Sequence, residues 1–166
     1  MDLMITKDKG AIWQNHIFPC AVGPNGIGWK EREGDGITPL GFWPIRQVFY
    51  RADRIPKPET VFPVRELQKD DGWCDASEDP HYNQYVKLPY PASHEDLWRE
   101  DHLYDVIVVL GHNDDPVIKG KGSAIFMHVA RENFSPTQGC VALDLQDLLR
   151  ILKEATLETR VVITNK

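Results

Sequence analysis

The 166-residue sequence has few cysteines, no excess of basic residues and no long hydrophobic run. Its three cysteines, Cys20, Cys74 and Cys140, are widely and unevenly spaced, and an odd count argues against a disulfide framework. The formal net charge of -6 argues against a basic face that binds nucleic acid or an anionic membrane. No apolar run reaches the roughly 18 residues of a membrane span. We therefore expect no nucleic-acid partner and no membrane span.

Internal repeats, low-complexity tracts and Gly/Ser-rich linkers are also missing. A chain of this length can bury one real core and is short for two. We therefore predict a single domain over residues 1–166. The first eight residues carry acids where a secretory signal would have a basic region followed by an apolar one.

Short apolar runs separated by prolines and glycines predict a mostly β fold. The predicted strands cover 12–22, 47–51, 86–88, 105–111, 124–130, 140–143 and 160–164. The run Val106–Leu110 does not alternate with polar residues, which indicates a central strand buried on both faces.

Helical periodicity is clear in one segment near the C-terminus. Apolar side chains recur on one helix face from Leu145 to Ala155, and Asp144 stands at the expected N-cap. A shorter helical turn is expected around residues 95–100. Residues 52–104 are interrupted by prolines, which predicts a functional loop or lid. The fold class is therefore mostly β, a β-rich α+β domain with a C-terminal helix.

The segment from Gly122 to Leu143 brings a histidine and a cysteine close in sequence. One apolar strand carries His128, a polar loop follows, and Gly139 precedes Cys140 at the start of a second strand. The spacing of 12 residues suits two adjacent antiparallel strands joined by a loop. Backbone N–H groups around Gly139 and Cys140 are candidates for an oxyanion hole.

A nucleophilic cysteine needs such a histidine because a free thiol is only about 3% thiolate at neutral pH. An imidazole can take the thiol proton and later protonate the leaving amine. A cysteine in an apolar strand is also often a buried and inert side chain. The residues alone leave both interpretations of Cys140 open.

Three segments resemble the L,D-transpeptidase (YkuD-type) catalytic domain family. Residues 137–141, Thr-Gln-Gly-Cys-Val, resemble its (Ser/Thr)-x-Gly-Cys-(Ile/Val) signature. Residues 125–128, Ile-Phe-Met-His, resemble the strand that bears its catalytic histidine. Residues 34–45, Gly-Asp-Gly-Ile-Thr-Pro-Leu-Gly-Phe-Trp-Pro-Ile, resemble its Thr-Pro-x-Gly-x-(Phe/Tyr) element. The three occur in the family's order and span most of the chain.

The resemblance implies a β-sandwich or barrel-like domain and a reaction without a cofactor or metal. Cys140 would attack a carbonyl of a peptidoglycan stem peptide, with His128 as general base and Gly139 beside the forming oxyanion. A second stem peptide would then supply the amine acceptor. Substrate contacts are expected from Arg131 and Thr137, and from Trp73, Tyr82 and Asn83 if the polar and aromatic stretch 73–99 lines the groove. The alternative is that the aromatic side chains of this stretch only hold the loop to the domain.

The sequence departs from the family pattern at two positions. Val129 follows the histidine where members usually have glycine, and Ala142 stands where they have arginine two residues after the cysteine. Arg131 is a candidate replacement for that arginine. These differences predict a divergent branch whose acyl donor is cut at another bond.

Several alternatives stay open. Water in place of the amine would make a carboxypeptidase or amidase of stem peptides. A zinc-dependent peptidoglycan peptidase could use ligands from His94, His102, His112 and His128, although no His-Glu-x-x-His motif is present. A non-catalytic cell-wall-binding domain could keep the same fold. The implied substrate predicts the periplasm or cell envelope as the location, and a cytoplasmic role on recycled stem peptides is the alternative.

Overall fold

The computed structural model describes residues 1–166 and contains fifteen β-strands and one α-helix. The strands are β1 Leu3–Thr6, β2 Gly10–Trp13, β3 His16–Phe18, β4 Cys20–Ala21, β5 Ile27–Gly28, β6 Thr38–Pro39, β7 Gly41–Tyr50, β8 Val64–Glu66, β9 Asp71–Cys74, β10 Tyr85–Lys87, β11 His94–Asp96, β12 Val106–Leu110, β13 Phe126–Val129, β14 Val141–Leu143 and β15 Arg160–Thr164. The helix, α1, is Leu145–Glu154, and it is too short and too polar to cross a lipid bilayer.

Ten strands form one mixed sheet that nearly closes into a barrel. Their order is β3-β2-β1-β15-β7-β12-β13-β14-β4, and β8 pairs with β7 beside this path. The first and last strands of that order, β3 and β4, are separated in the chain only by Pro19. The segment 12–22, predicted as one strand, is divided among β2, β3 and β4 because the chain turns at Gln14, which has a positive φ of 55°. The predicted mostly β fold with a C-terminal helix is confirmed.

The central strand β12 has a hydrophobic core on each side. Val106, Val108 and Leu110 belong to the larger core, and Ile107 and Val109 belong to the smaller one. All five side chains are buried, as their unbroken apolar run predicts. The cores therefore lie on opposite faces of the same sheet.

Helix α1 covers the larger core. Leu148, Ile151 and Leu152 are completely buried there, and each buried side chain of this size contributes roughly 1.5–3 kcal/mol. The Asp144 carboxylate accepts a hydrogen bond of 2.9 Å from the Gln146 N–H, which caps the helix as predicted.

Residues 52–104 contain more regular structure than the sequence predicts. Strands β10, β9 and β11 form a separate three-stranded sheet, and Trp73 and Leu97 from this region pack into the smaller core. The helical turn expected around residues 95–100 is wrong because Glu95 pairs with Trp73 in the sheet. Pairing between strands here outweighs the local preference of a short segment.

The strands around His128 and Cys140 run parallel, and the antiparallel arrangement expected from their spacing is wrong. His128 in β13 is level with Ala142 in β14. Side chains two residues apart on a strand point to the same face. Cys140 therefore shares the face of Ala142 and His128, and this face belongs to the smaller core.

Candidate active site

A cavity of about 770 Å³ opens on the face of the sheet that carries Cys140 and His128. Its walls come from four parts of the chain: the loop before β6, the three-stranded sheet with the segment after it, the approach to β13, and the loop between β13 and β14. Charged side chains on these walls include Lys30, Glu33, Asp75, Glu95, Arg99 and Arg131. The cavity therefore offers a ligand both charges beside a thiol and an imidazole.

The Cys140 thiol is held by the backbone just before and at the start of β13. Its Sγ donates a hydrogen bond of 3.2 Å to the Ala124 carbonyl and accepts one of 3.4 Å from the Phe126 N–H. Burial and, to a smaller extent, the charge of Glu95 raise the pKa of the thiol to about 12, against the opposing effects of the Phe126 N–H and Lys30. The thiol is therefore protonated at neutral pH and needs a base before it can attack.

His128 is a neutral imidazole with one nitrogen free to act as that base. Its Nδ1 lies 2.9 Å from the Val129 carbonyl oxygen, which only accepts hydrogen bonds, so Nδ1 carries the proton and Nε2 is the acceptor. Burial and, to a smaller extent, the nearby charges of Arg99 and Arg131 lower the pKa of His128 to about 4. The thiol donates to Ala124 rather than to His128, so proton transfer requires the thiol to leave its resting hydrogen bond.

Gly139 is required by its backbone conformation and by the close approach of another loop. Its φ is +133°, and a Cβ at this position would lie 3.0 Å from the Ile37 carbonyl oxygen. The Gly139 N–H donates to Thr137 Oγ1 at 3.1 Å, and that hydroxyl donates to the Cys140 carbonyl at 2.6 Å. Of the two N–H groups expected to form an oxyanion hole, the one on Gly139 is thus already occupied. The Cys140 N–H donates to no protein atom and stays available.

Lys30 brings a buried positive charge to the same place. Its Nζ lies 2.6 Å from Asp35 Oδ1 and 3.3 Å from the Ile37 carbonyl, and only 4% of its side chain is exposed. The same Nζ is 3.7 Å from the position that a Cβ on Gly139 would take. No sequence motif points to this lysine, which is 110 residues before Cys140 in the chain.

The residues predicted to contact substrate fall into two groups. Arg131 and Thr137 line the cavity. Trp73, Tyr82 and Asn83 are buried away from it, with 7%, 1% and 6% exposure. The structure therefore does not bring these three into the groove, and their positions do not support the expected substrate contacts.

Tyr82 and Asn83 instead attach the segment between β9 and β10 to the barrel. The Asn83 amide oxygen accepts hydrogen bonds from Trp73 Nε1 and the Ala124 N–H, both at 3.0 Å. Its amide nitrogen donates to the carbonyls of His112 at 3.1 Å and Asn113 at 2.8 Å. The Tyr82 hydroxyl donates to Glu33 and accepts from the Gly122 N–H at 2.9 Å. These contacts fix the segment that leads into β13, on which the Cys140 thiol rests.

The two departures from the family pattern have different surroundings, because Val129 belongs to the larger core whereas Ala142 lines the cavity. Ala142 is level with His128 and lines the cavity, so an arginine here would stand next to the imidazole. Arg99 and Arg131 also line this part of the cavity, and both act electrostatically on His128. Two guanidinium groups from other segments thus supply positive charge near the position where the family has an arginine.

The histidines considered as zinc ligands are not assembled into a metal site. No group of three or more His, Cys, Asp and Glu side chains is arranged to hold an ion. His112 is buried against the edge of the Trp43 ring at 4.8 Å between centroids, and its Nδ1 has no hydrogen-bond partner.

Because two histidines are buried, we expect the protein to lose stability in mild acid. Burial lowers the pKa of both His112 and His128 to about 4, whereas an unfolded histidine titrates near 6.5. The unfolded state therefore binds protons first, so the free energy of unfolding is largest above pH 6.5 and falls as the pH approaches 4. At about 1.4 kcal/mol per pKa unit, each histidine contributes roughly 3 kcal/mol to this loss.

Urea unfolding at several pH values between 7 and 4 measures this loss. His112→Phe keeps an aromatic ring against Trp43 and removes one titrating group, so about half of the pH dependence is expected to disappear. The carboxyl of Glu95, whose pKa is raised by burial, acts in the opposite direction in both proteins. An unchanged pH dependence in the variant would show that His112 is not the source.

Comparison with known proteins agrees with this geometry. Residues 3–163 match the family model of the L,D-transpeptidase catalytic domain (YkuD). Searches among curated proteins and among solved structures gave no match. Because the family match covers nearly the whole chain, the protein belongs to the L,D-transpeptidase catalytic domain family.

Proposed function

We propose that the protein cross-links peptidoglycan stem peptides through a thioester on Cys140, with His128 as the general base. The observation that supports this most directly is the placement of the thiol and a neutral imidazole on one face of the sheet, in one cavity. A buried thiol with a pKa of about 12 is unreactive by itself. An imidazole with a free Nε2 supplies the base that such a thiol requires.

In the first half of the reaction, His128 Nε2 takes the thiol proton and Sγ attacks a peptide carbonyl of the donor stem. The Phe126 N–H and the charge of Lys30 stabilise the thiolate as it forms. The Cys140 N–H is free to donate to the carbonyl oxygen as it becomes negative, and one such donor typically contributes about 3 kcal/mol. The protonated His128 then gives its proton to the leaving amine, and the acyl group stays on sulfur.

In the second half, an amine of another stem attacks the thioester and forms the cross-link. Hydrolysis by water would give a trimmed stem peptide instead. Such stems belong to a polymer outside the cytoplasmic membrane, so we propose the periplasm or cell envelope as the place of action.

Intact-protein mass spectrometry after incubation with purified tetrapeptide muropeptides tests this proposal. We expect a mass increase equal to the donor acyl group, mapped to the peptide containing Cys140 and removed by neutral hydroxylamine, which cleaves thioesters. Cross-linked dimers among the products would support transfer, and shortened monomers alone would support hydrolysis. If no stem type gives an adduct or a product, the proposed reaction is wrong and the wall-binding alternative gains support.

A further inference from the structure

Glu95 is an acidic side chain in the cavity that the first half of the reaction does not use. It lies on β11, and its Oε1 accepts a hydrogen bond from the Tyr104 hydroxyl. It forms no ion pair, and the guanidinium group of Arg99, which lines the same cavity, is bound to Asp101 at 2.6 and 2.8 Å. Glu95 is thus a carboxylate with an open oxygen facing a cavity.

The Glu95–Tyr104 pair is adjacent to both reacting groups. The Tyr104 ring meets the His128 ring edge-on, with 5.3 Å between centroids, and Cys140 packs against the smaller core, to which Tyr104 belongs. Glu95 lines the same cavity as Cys140. Its charge opposes ionisation of the thiol and so hinders the first half of the reaction. Because Glu95 does not help acylation, we consider a role for it in the second half of the reaction.

The second half of the reaction needs a base that removes a proton from the acceptor amine. The attacking amine arrives at neutral pH as an ammonium ion and must lose a proton before its nitrogen can attack. A carboxylate in a poorly hydrated site can bind the ammonium and accept that proton. Burial raises the pKa of Glu95, and Asp75 and Glu33 raise it as well, while Tyr104 and Arg99 lower it. A raised pKa makes a carboxylate a better base.

We propose that Glu95 binds the ammonium group of the acceptor and removes its first proton. This inference rests on the proposed function and names the acceptor side of the same site. Glu95 takes one proton from the ammonium, and the freed nitrogen forms a bond to the thioester carbon. Neutral His128 takes the second proton from nitrogen, the C–S bond breaks, and His128 returns that proton to Sγ. The products are the new amide, the Cys140 thiol and a protonated Glu95, which releases its proton to solvent.

A pair of acceptors that differ in charge tests this role. Glycine amide is largely an ammonium ion at neutral pH, whereas hydroxylamine is uncharged and does not need the base. The acyl-enzyme is first formed with a tetrapeptide muropeptide, and its decay is then followed by mass spectrometry with each acceptor. In Glu95→Gln, decay with glycine amide is expected to slow by roughly 10- to 100-fold, while decay with hydroxylamine or water stays within about twofold.

The choice of substitution and two control variants separate this role from a structural one. Glu95→Gln keeps the size of the side chain and an oxygen that can accept from Tyr104, and Glu95→Asp keeps the charge and should restore part of the preference for glycine amide. Asp96→Asn removes an acidic charge at the next position of β11, where the side chain is exposed and lies outside the cavity, and it is expected to leave the ratio of the two rates nearly unchanged.

Two results overturn the inference. One is equal slowing with both acceptors in Glu95→Gln, and the other is equal slowing of the reaction with glycine amide in Asp96→Asn. If the unmodified protein forms no thioester at all, the proposed function has failed at an earlier step, which acyl-enzyme formation measures separately.

Discussion

Replacing Cys140 by alanine is expected to abolish the acyl adduct and reduce product formation by at least about 10⁴-fold. The reason is that no other thiol lines the cavity. Cys20 lies on β4 against the larger core, and Cys74 is completely buried. The measurement is adduct mass together with chromatographic product analysis after incubation with muropeptides. Because alanine occupies less space than cysteine and leaves the sheet pairing in place, the fold should persist.

Cys20→Ala is the matched control, since it removes a partly buried thiol outside the cavity. We expect adduct formation in this variant to equal that of the unmodified protein. An adduct that persists in Cys140→Ala would place the nucleophile elsewhere and contradict the thiol mechanism given above. Circular dichroism of both variants verifies that loss of reaction does not reflect loss of structure.

Replacing Asn83 by alanine is expected to lower the free energy of unfolding by about 4 kcal/mol or more, because it leaves several buried polar groups unpaired. One amide side chain satisfies Trp73 Nε1, the Ala124 N–H and two carbonyls. The backbone φ of +56° is also one that asparagine adopts more readily than alanine. For a chain of this length, such a change corresponds to a decrease in Tm of roughly 8–16 °C.

Thermal unfolding followed by circular dichroism measures this effect, and Gln84→Ala serves as the control. Gln84 is the next residue and its side chain is exposed, so its replacement should change Tm by no more than about 2 °C. Equal Tm values for Asn83→Ala and the unmodified protein would mean that the segment between β9 and β10 is held by other contacts. Asn83→Gly, which suits the positive φ, should recover only the conformational part of the loss.

The parts of the fold that the sequence predicts are those determined by local pattern. The unbroken run at β12 needs an apolar environment on both faces, and the spacing of leucines in α1 fits only one face of a helix. The relative direction of β13 and β14 could not be predicted from local pattern, because an 11-residue connection can return in either direction. That choice depends on which strands flank the pair in the closed sheet.

The candidate site was predictable where chemistry and motif coincide, at His128 and Cys140. It was not predictable where a side chain reaches the cavity from a distant segment, as Lys30 and Glu95 do. Asn83 illustrates a different difficulty. A proline-rich, aromatic stretch with polar residues has the same sequence pattern whether those residues contact a ligand or hold the stretch to the barrel. Only their hydrogen-bond partners distinguish these two roles.

The position of β15 has a consequence for synthesis of the chain on the ribosome. The last strand lies between β1 and β7, and it pairs in parallel with the first strand, Leu3 opposite Val161. A nascent chain that ends before residue 160 lacks the strand that joins β1 to β7, so the barrel cannot form progressively from its N-terminus. Contacts between such distant residues also slow folding. We therefore expect this domain to fold in a step that begins only when β15 has left the ribosomal tunnel.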